Sequence, residues 1–298
     1  MPRSFDDYLV IAVTSRALFD LELENRIFEQ QGLQAYRAYQ LERQDEVLRP
    51  GVAYDLVRKI LALNQLPQLQ RQVEVVIVSR NNVECALRIS TSLEHYDLPI
   101  TRSAWTSGTP LSHYLGAFDV DLFLSADPGD VQAAINGGIA AARILPDVVR
   151  HTRPDSPQIR IAFDGDAVLF ADESERVFQE HGLEAFLEHE RANARRPLPD
   201  GPFARLLRNL ALMQAGFDPQ TQPIRTALVT ARSSPAHERV IRTFAAWNVR
   251  IDEAFFLGGM SKQAIIAAFA PDLYFDDQDV HCQASSGVAP TGQVPWQE

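Results

Sequence analysis

A chain of 298 residues, 46% hydrophobic and 22% charged, has the make-up of a well-cored globular protein of one large or two ordinary domains, which excludes a disordered or fibrous one. Its 28 Lys and Arg against 39 Asp and Glu leave a formal charge of -11, so nucleic acid and anionic membrane surfaces would be repelled and neither is expected as a partner. Two cysteines, Cys85 and Cys282, cannot build a disulfide framework or a four-cysteine zinc site; with Asp6 and Asp7 where a secretory leader needs apolar residues, and no apolar run of bilayer-spanning length, a cytoplasmic location is expected.

Taken in chain order, the elements come twice. Residues 11 to 36 match 161 to 186 at an offset of 150, with identities such as Ile11/Ile161, Phe28/Phe178 and Gly32/Gly182, and the same offset pairs Gly51/Gly201 and Leu56/Leu206. After a slip of one residue it pairs Val78/Val229, Gly108/Gly259 and Asp121/Asp272. A nearly constant offset favours an internal duplication over shared composition. The first half, residues 1–145, and the second, residues 159–283, each read as alternating strands and helices. Residues 146–158, with Pro146, Pro154 and Pro157 among charges, read as the linker.

In the second half, strands are expected at 159–163, 224–229, 252–257 and 271–275, with helices starting near Pro235 and Ser261, the rhythm of a parallel sheet. Residues 172–222 carry Phe178, Leu183, Phe186 and Leu187 at helical spacing, and are expected to lie over the strand ends as a helical cap. Residues 284–298, with Gly287, Pro290, Gly292 and Pro295, read as an irregular tail. The expectation is an α/β protein of two duplicated Rossmann-like halves with parallel sheets and a helical insertion after the first strand of each.

Polar chemistry gathers just past the carboxyl ends of the second half's strands, where open α/β sheets bind ligands. Asp164 and Asp166 flank Gly165, and taken alone they fit an acidic turn as well as a site. Thr230 ends a strand. Lys262 opens a helix after Gly258-Gly259, where a solvated lysine is the bland reading; yet Lys59 and Lys262 are the two lysines beside 26 arginines, so a compact point charge kept there argues for a site. Asp276 and Asp277 repel each other unless a cation joins them.

Together these residues suit magnesium-assisted phosphoryl transfer, with Asp164, Asp166, Asp276 and Asp277 around the ion. Asp164 would attack phosphorus to form an aspartyl-phosphate. Asp166 would protonate the leaving alkoxide and later activate water, while Thr230 and Lys262 would bind phosphoryl oxygens. The aligned first-half positions are Thr14, Arg16, Ser79, Leu111, Ser125 and Ala126. Only Ser79 keeps comparable chemistry, so the first half reads as a scaffold, a regulatory unit or a subunit interface.

The order Asp164-x-Asp166, Thr230, Lys262 and Asp276-Asp277 resembles the four-motif signature of the haloacid dehalogenase superfamily of phosphohydrolases, with the insertion placed like that superfamily's cap. The stretches 161–170 (IAFDGDAVLF), 227–240 (ALVTARSSPAHERV), 250–259 (RIDEAFFLGG) and 275–279 (FDDQD), joined by 11–19 (IAVTSRALF) and 93–96 (LEHY), are similar to the class I cytosolic 5'-nucleotidases, over nearly the whole chain. The resemblance implies haloacid-dehalogenase-like halves. It also implies Mg2+-dependent hydrolysis of nucleoside 5'-monophosphates, AMP and pyrimidine deoxynucleotides among them, with a nucleotide effector in some members. A phosphatase for another small phosphomonoester, such as a sugar phosphate, or a nucleotide-sensing protein with vestigial hydrolysis would carry the same motifs. Phe170, Glu173 and Arg232 are candidates for contacts to base, ribose or phosphate, against readings of Arg232 as an ion-pair former and Phe170 as packing under the cap. A homo-oligomer is expected, and Glu188 to Arg191 read as a solvated helix face.

Overall fold

Short runs rich in β-branched and apolar residues, such as Gln72–Ser79 and Ile159–Phe163, form strands buried over most of their length, which is what a parallel sheet covered on both faces requires. In the computed structural model, which describes residues 5, 7–145 and 156–298, ten strands build one sheet. The first half runs β1 (Tyr8–Val13), α1 (Ser15–Leu18), α2 (Glu22–Glu42), α3 (Tyr54–Ala62), β2 (Gln72–Ser79), α4 (Ala86–His95), β3 (Arg102–Trp105), α5 (Ser112–Leu115), β4 (Leu122–Ser125), α6 (Pro128–Asn136) and β5 (Ala141–Ile144). The second runs β6 (Ile159–Phe163), α7 (Glu173–Ala192), α8 (Ala204–Gln214), β7 (Ile224–Thr230), α9 (His237–Ala246), β8 (Glu253–Phe256), α10 (Gln263–Phe269), β9 (Leu273–Asp276), α11 (Asp279–Ser286) and β10 (Thr291–Gln293). No helix among the described residues is long and apolar enough to cross a membrane.

The strand order is β3-β2-β1-β4-β5-β10-β9-β6-β7-β8, parallel throughout except where β10 meets β5. The expectation of separate parallel sheets is thereby corrected to one mixed sheet. Its physical reason is the edge problem: β5 and β10 would each expose a row of unpaired backbone groups, and pairing them antiparallel satisfies both. Read outward from this seam, the two arms have the same order, 5-4-1-2-3 and 10-9-6-7-8.

The tail expected to be irregular also differs. Gly292 pairs with Ile144 and Phe275, because the strands pass so closely that a Cβ there would lie 2.9 Å from that of Ala142 and 3.0 Å from the Phe275 ring. Gly and Pro that read as loop signals thus serve a strand. Of the expected linker, residues 146–155 lie outside the described residues. Of the stretch expected as a cap, α8 packs into the main core through Leu206, Leu207, Leu210 and Met213.

Two buried polar links tie the arms. Lys59 Nζ on α3 lies 2.6 Å from Asp272 Oδ1, and Asn209 Nδ2 on α8 donates to Asp121 Oδ1 at 2.9 Å. Each carboxylate also accepts a backbone N–H from the strand beside it, Asp272 from Arg160 and Asp121 from Val10. Both lysines of the chain are therefore internal ion-pair partners, since Lys262 is buried as well.

Candidate active site

In the second arm the chain leaves β6 in one direction to reach β7 and in the other to reach β9, so the crevice between β6 and β9 is the point where strand order reverses. Asp164 follows β6 and Asp276 ends β9, which places a carboxylate on each side of that crevice. Asp164 N–H donates to the Phe275 carbonyl at 2.8 Å and continues the ladder into the turn. Gly165 comes next in a tight spot: a Cβ would sit 3.3 Å from Thr230 Oγ1 and 3.4 Å from the Phe170 ring, so a larger residue would need its neighbours to give by a few tenths of an ångström. Thr230, at the end of β7, is buried, and its Oγ1 accepts the Arg232 N–H at 3.2 Å.

Lys262 enters this crevice from the residue before α10. Its ammonium lies 2.8 Å from Asp164 Oδ1 and 2.7 Å from Asp276 Oδ2. Asp276 also accepts the Gln278 N–H at 2.9 Å and a short hydrogen bond from the Tyr274 hydroxyl, with His281 Nδ1 at 3.5 Å. Asp277 accepts Trp296 Nε1–H at 2.7 Å, while its Oδ1 is buried without a partner.

Three carboxylates crowd here, and two of them, Asp164 and Asp276, contact the one ammonium. Oxygens of Asp164, Asp276 and Asp277 lie within 4.8 Å of one another, and all three residues are buried. Burial pushes Asp277 up to about 8, with the charges of Asp164 and Asp276 adding to the rise. Burial likewise lifts Asp164 to about 6, against the pull of Lys262 and with a push from Asp276. Asp276 is buried too, but His281, Lys262 and the Tyr274 hydroxyl together hold it below the ordinary carboxylate value. The crowded negative charge and the orphaned Asp277 Oδ1 fit a hard cation bound by oxygen.

A sequence profile of the 5'-nucleotidase family matches residues 1–298. The chain belongs to the 5'-nucleotidase family. It is 37% identical over 287 residues to human cytosolic 5'-nucleotidase 1B, which covers 93% of this chain and 47% of that protein, so the chain spans about half the length of this curated relative. No solved structure matches.

The remaining expected residues of this 5'-nucleotidase-family chain fall outside the three-carboxylate cluster. Asp166 is gripped by Arg232, with Nη2 2.6 Å from Oδ1 and Nε 2.8 Å from Oδ2. A second arm of the same guanidinium makes a short bond to Glu190, whose other oxygen accepts from Ser174 Oγ at 2.8 Å and Arg239 Nη1 at 2.9 Å. Arg232 is thus buried and saturated by carboxylates, as an ion-pair former is. Phe170 is fully buried, with its ring 5.6 Å from those of Phe244 and Trp247, so packing is what the structure shows of it. Glu173, in the first turn of α7, is part-exposed and bonds His189 Nε2 at 2.9 Å.

Glu190 corrects the reading of Glu188 to Arg191 as a solvated face, since it is almost wholly buried. The signal was present: Glu190 lies one helical turn beyond the buried Phe186, on the same stripe of α7. Trp296 was lost in the apparent tail, although a tryptophan there is itself a mark of packing. Tyr274, two residues before Asp276 on the same face of β9, and Glu175 were also missed. Burial raises the Glu175 carboxyl, Asp166 raises it further, and Lys262 and Arg232 draw it down, so Glu175 shares the field of this site.

Proposed function

We propose that the second arm is a Mg2+-dependent 5'-nucleotidase that hydrolyses nucleoside 5'-monophosphates to nucleoside and phosphate, with AMP and pyrimidine deoxynucleotides as the expected substrates. The observation that carries the reading is the Lys262 ammonium set between Asp164 and Asp276 at the switch point of the arm, beside a third acid with a free buried oxygen. Family membership and the human relative's name support the nucleotide class. Magnesium would be held by Asp164, Asp276 and Asp277, and it would supply the positive charge that lets a phosphate dianion enter an acidic crevice.

The chain's own groups then divide the work. Asp164 is the nucleophile: one carboxylate oxygen bonds to phosphorus as the bond to the nucleoside 5'-oxygen breaks. Asp166 gives that oxygen its proton, and afterwards takes one from the water that attacks the aspartyl-phosphate and frees inorganic phosphate. Thr230 Oγ1 and Lys262 Nζ hold the equatorial phosphoryl oxygens. Because Arg232 occupies both oxygens of Asp166, this ion pair has to open first, and the arriving phosphate is the competing anion for the guanidinium. Glu173 remains a proposed neighbour of base and ribose, with α7 as the covering element, while the proposed contact of Phe170 with the base would require its buried ring to leave Phe244 and Trp247.

In this reading the two arms descend from one duplicated haloacid-dehalogenase-like unit, residues 1–145 being the non-catalytic copy. A cytoplasmic location, a nucleotide effector and a homo-oligomer belong to the same proposal. The grip of Arg232 on Asp166 is also what a nucleotide sensor with vestigial hydrolysis would show. Initial rates of phosphate release from AMP, dTMP and glucose 6-phosphate, with Mg2+ and with EDTA, decide between these. The nucleotidase reading requires nucleotide turnover that EDTA stops and that exceeds glucose 6-phosphate turnover. Tight nucleotide binding with no phosphate release favours the sensor.

A further inference from the structure

A cavity of about 410 Å3 opens in the first arm, at the carboxyl ends of β1, β2 and β4. Thr14 follows β1 and Ser125 ends β4, so this cavity lies at the first arm's own reversal of strand order, in the place that the carboxylate crevice takes in the second. It is open for a reason that the residues supply. In the second arm the Arg232 guanidinium spans from Asp166 to Glu190. The aligned positions in the first are Asn81, Arg16 and Gln40, and each of these bonds a different partner. Arg16 reaches out to Glu22 at 2.8 Å, Asn81 to Ser15 Oγ at 3.5 Å, and Gln40 to the Tyr36 hydroxyl at 3.0 Å.

Two polar groups are left over in the lining. Thr14 is 8% exposed, and its hydroxyl has no hydrogen-bond partner. Arg16 Nε is buried and likewise unpartnered. Unmet buried donors are costly to a fold, and two of them together at a strand-end crevice ask for an acceptor from outside. The acids of the lining do not provide it, because Asp130 is paired with Arg80, Glu24 with Arg88, and Asp127 caps α6 by accepting the Asp130 N–H. Opposite these groups α2 breaks at Gly32, where φ is +81°, and presents Phe28 and Leu33 as an apolar wall.

We propose that this cavity binds a phosphate monoester carrying a planar ring, its phosphoryl oxygens held by Arg16, Thr14 and Ser79 and its ring against Phe28 and Leu33. No metal is needed, since an arginine stands where the second arm has Asp166, and Ser125 and Ala126 stand where it has Asp276 and Asp277. The ligand stays intact, because Thr14 replaces the carboxylate nucleophile. The inference rests on the first arm alone and not on the reaction proposed for the second.

The test is equilibrium dialysis of the full chain against labelled AMP in EDTA, with Asp164→Asn present to prevent turnover. One saturable site per chain is expected. Arg16→Ala should weaken it at least about tenfold, as loss of a charge-assisted hydrogen bond does. Thr14→Val, which removes the orphaned hydroxyl at nearly constant shape, should weaken it several-fold while the melting temperature does not fall. Adenosine should bind about tenfold more weakly than AMP. Absence of saturable binding in EDTA, equal affinity for adenosine and AMP, or affinity untouched by both substitutions would each overturn the proposal. Failure of the hydrolysis reading is separate: it shows as no phosphate release by the unsubstituted protein with Mg2+, and leaves binding in EDTA unchanged.

Discussion

Metal-free protein is expected to lose stability as the pH rises from about 4 to about 8, and Asp277 is the group that dominates the loss. Its carboxyl moves from 3.8 to about 8 on folding, chiefly through burial. A carboxyl whose folded value is raised binds its proton more tightly in the native state. Its contribution is therefore complete below about 4 and is lost as the pH passes through about 8. Roughly four units at about 1.4 kcal/mol each put the loss on the order of 5 kcal/mol, a large share of a typical folding free energy. Asp164, raised to about 6, adds a smaller loss in the lower part of the same window. Urea unfolding in EDTA at pH 5 and pH 8, compared with Asp277→Asn, isolates the effect. The variant should exceed the native protein by only about 1–2 kcal/mol at pH 5 and by on the order of 5 kcal/mol at pH 8, and Mg2+ should restore much of the native protein's deficit there. An Asp277→Asn protein less stable than the native one at pH 8 in EDTA would refute the reasoning.

Three further outcomes follow from the packing. Lys59→Met strands the buried Asp272 carboxylate and should cost about 3–5 kcal/mol in urea unfolding, with much of it recovered when Asp272→Asn is added. Gly292→Val drives a side chain into Ala142 and Phe275 at the seam between the arms and should lower stability by about 1–3 kcal/mol, measured as the shift in urea midpoint. Lys262→Met removes the ammonium between Asp164 and Asp276, so phosphate release should fall by at least about a hundredfold, the loss expected for one charge-stabilising group.

What could be read from the residues was what is local to one strand end. Asp164, Thr230 and Asp276-Asp277 each follow or end an apolar run, and the rule that α/β sheets bind ligands beyond their strand ends brought them together without a structure, while Lys262 stood out as one of two lysines, at the start of a helix. The joining of the arms was not legible, because the pairing of β5 with β10 is settled by which edges are left bare after each arm has formed. Gly292 and Pro290 imitate loop chemistry in a segment that becomes a strand, and its fit depends on Ala142 far away in the chain. Glu190 was hidden by composition: a run of charges reads as solvated until the stripe through Phe186 is followed one turn further. The cavity of the first arm was invisible for the opposite reason, since Arg16 opposite Asp166 looked like chemistry lost, whereas in three dimensions the first arm lacks the bridge that Arg232 makes from Asp166 to Glu190.

The claim on which the functional account depends is that Asp164 takes the phosphoryl group. Acid quenching of the enzyme during turnover of AMP with Mg2+, followed by mass spectrometry of its peptides, tests this directly. The account predicts a phosphoryl group on the peptide that contains Asp164, and neither phosphopeptide nor phosphate release with Asp164→Asn. Steady phosphate release by Asp164→Asn, with no phosphoryl group found at that position in the native enzyme, would contradict it.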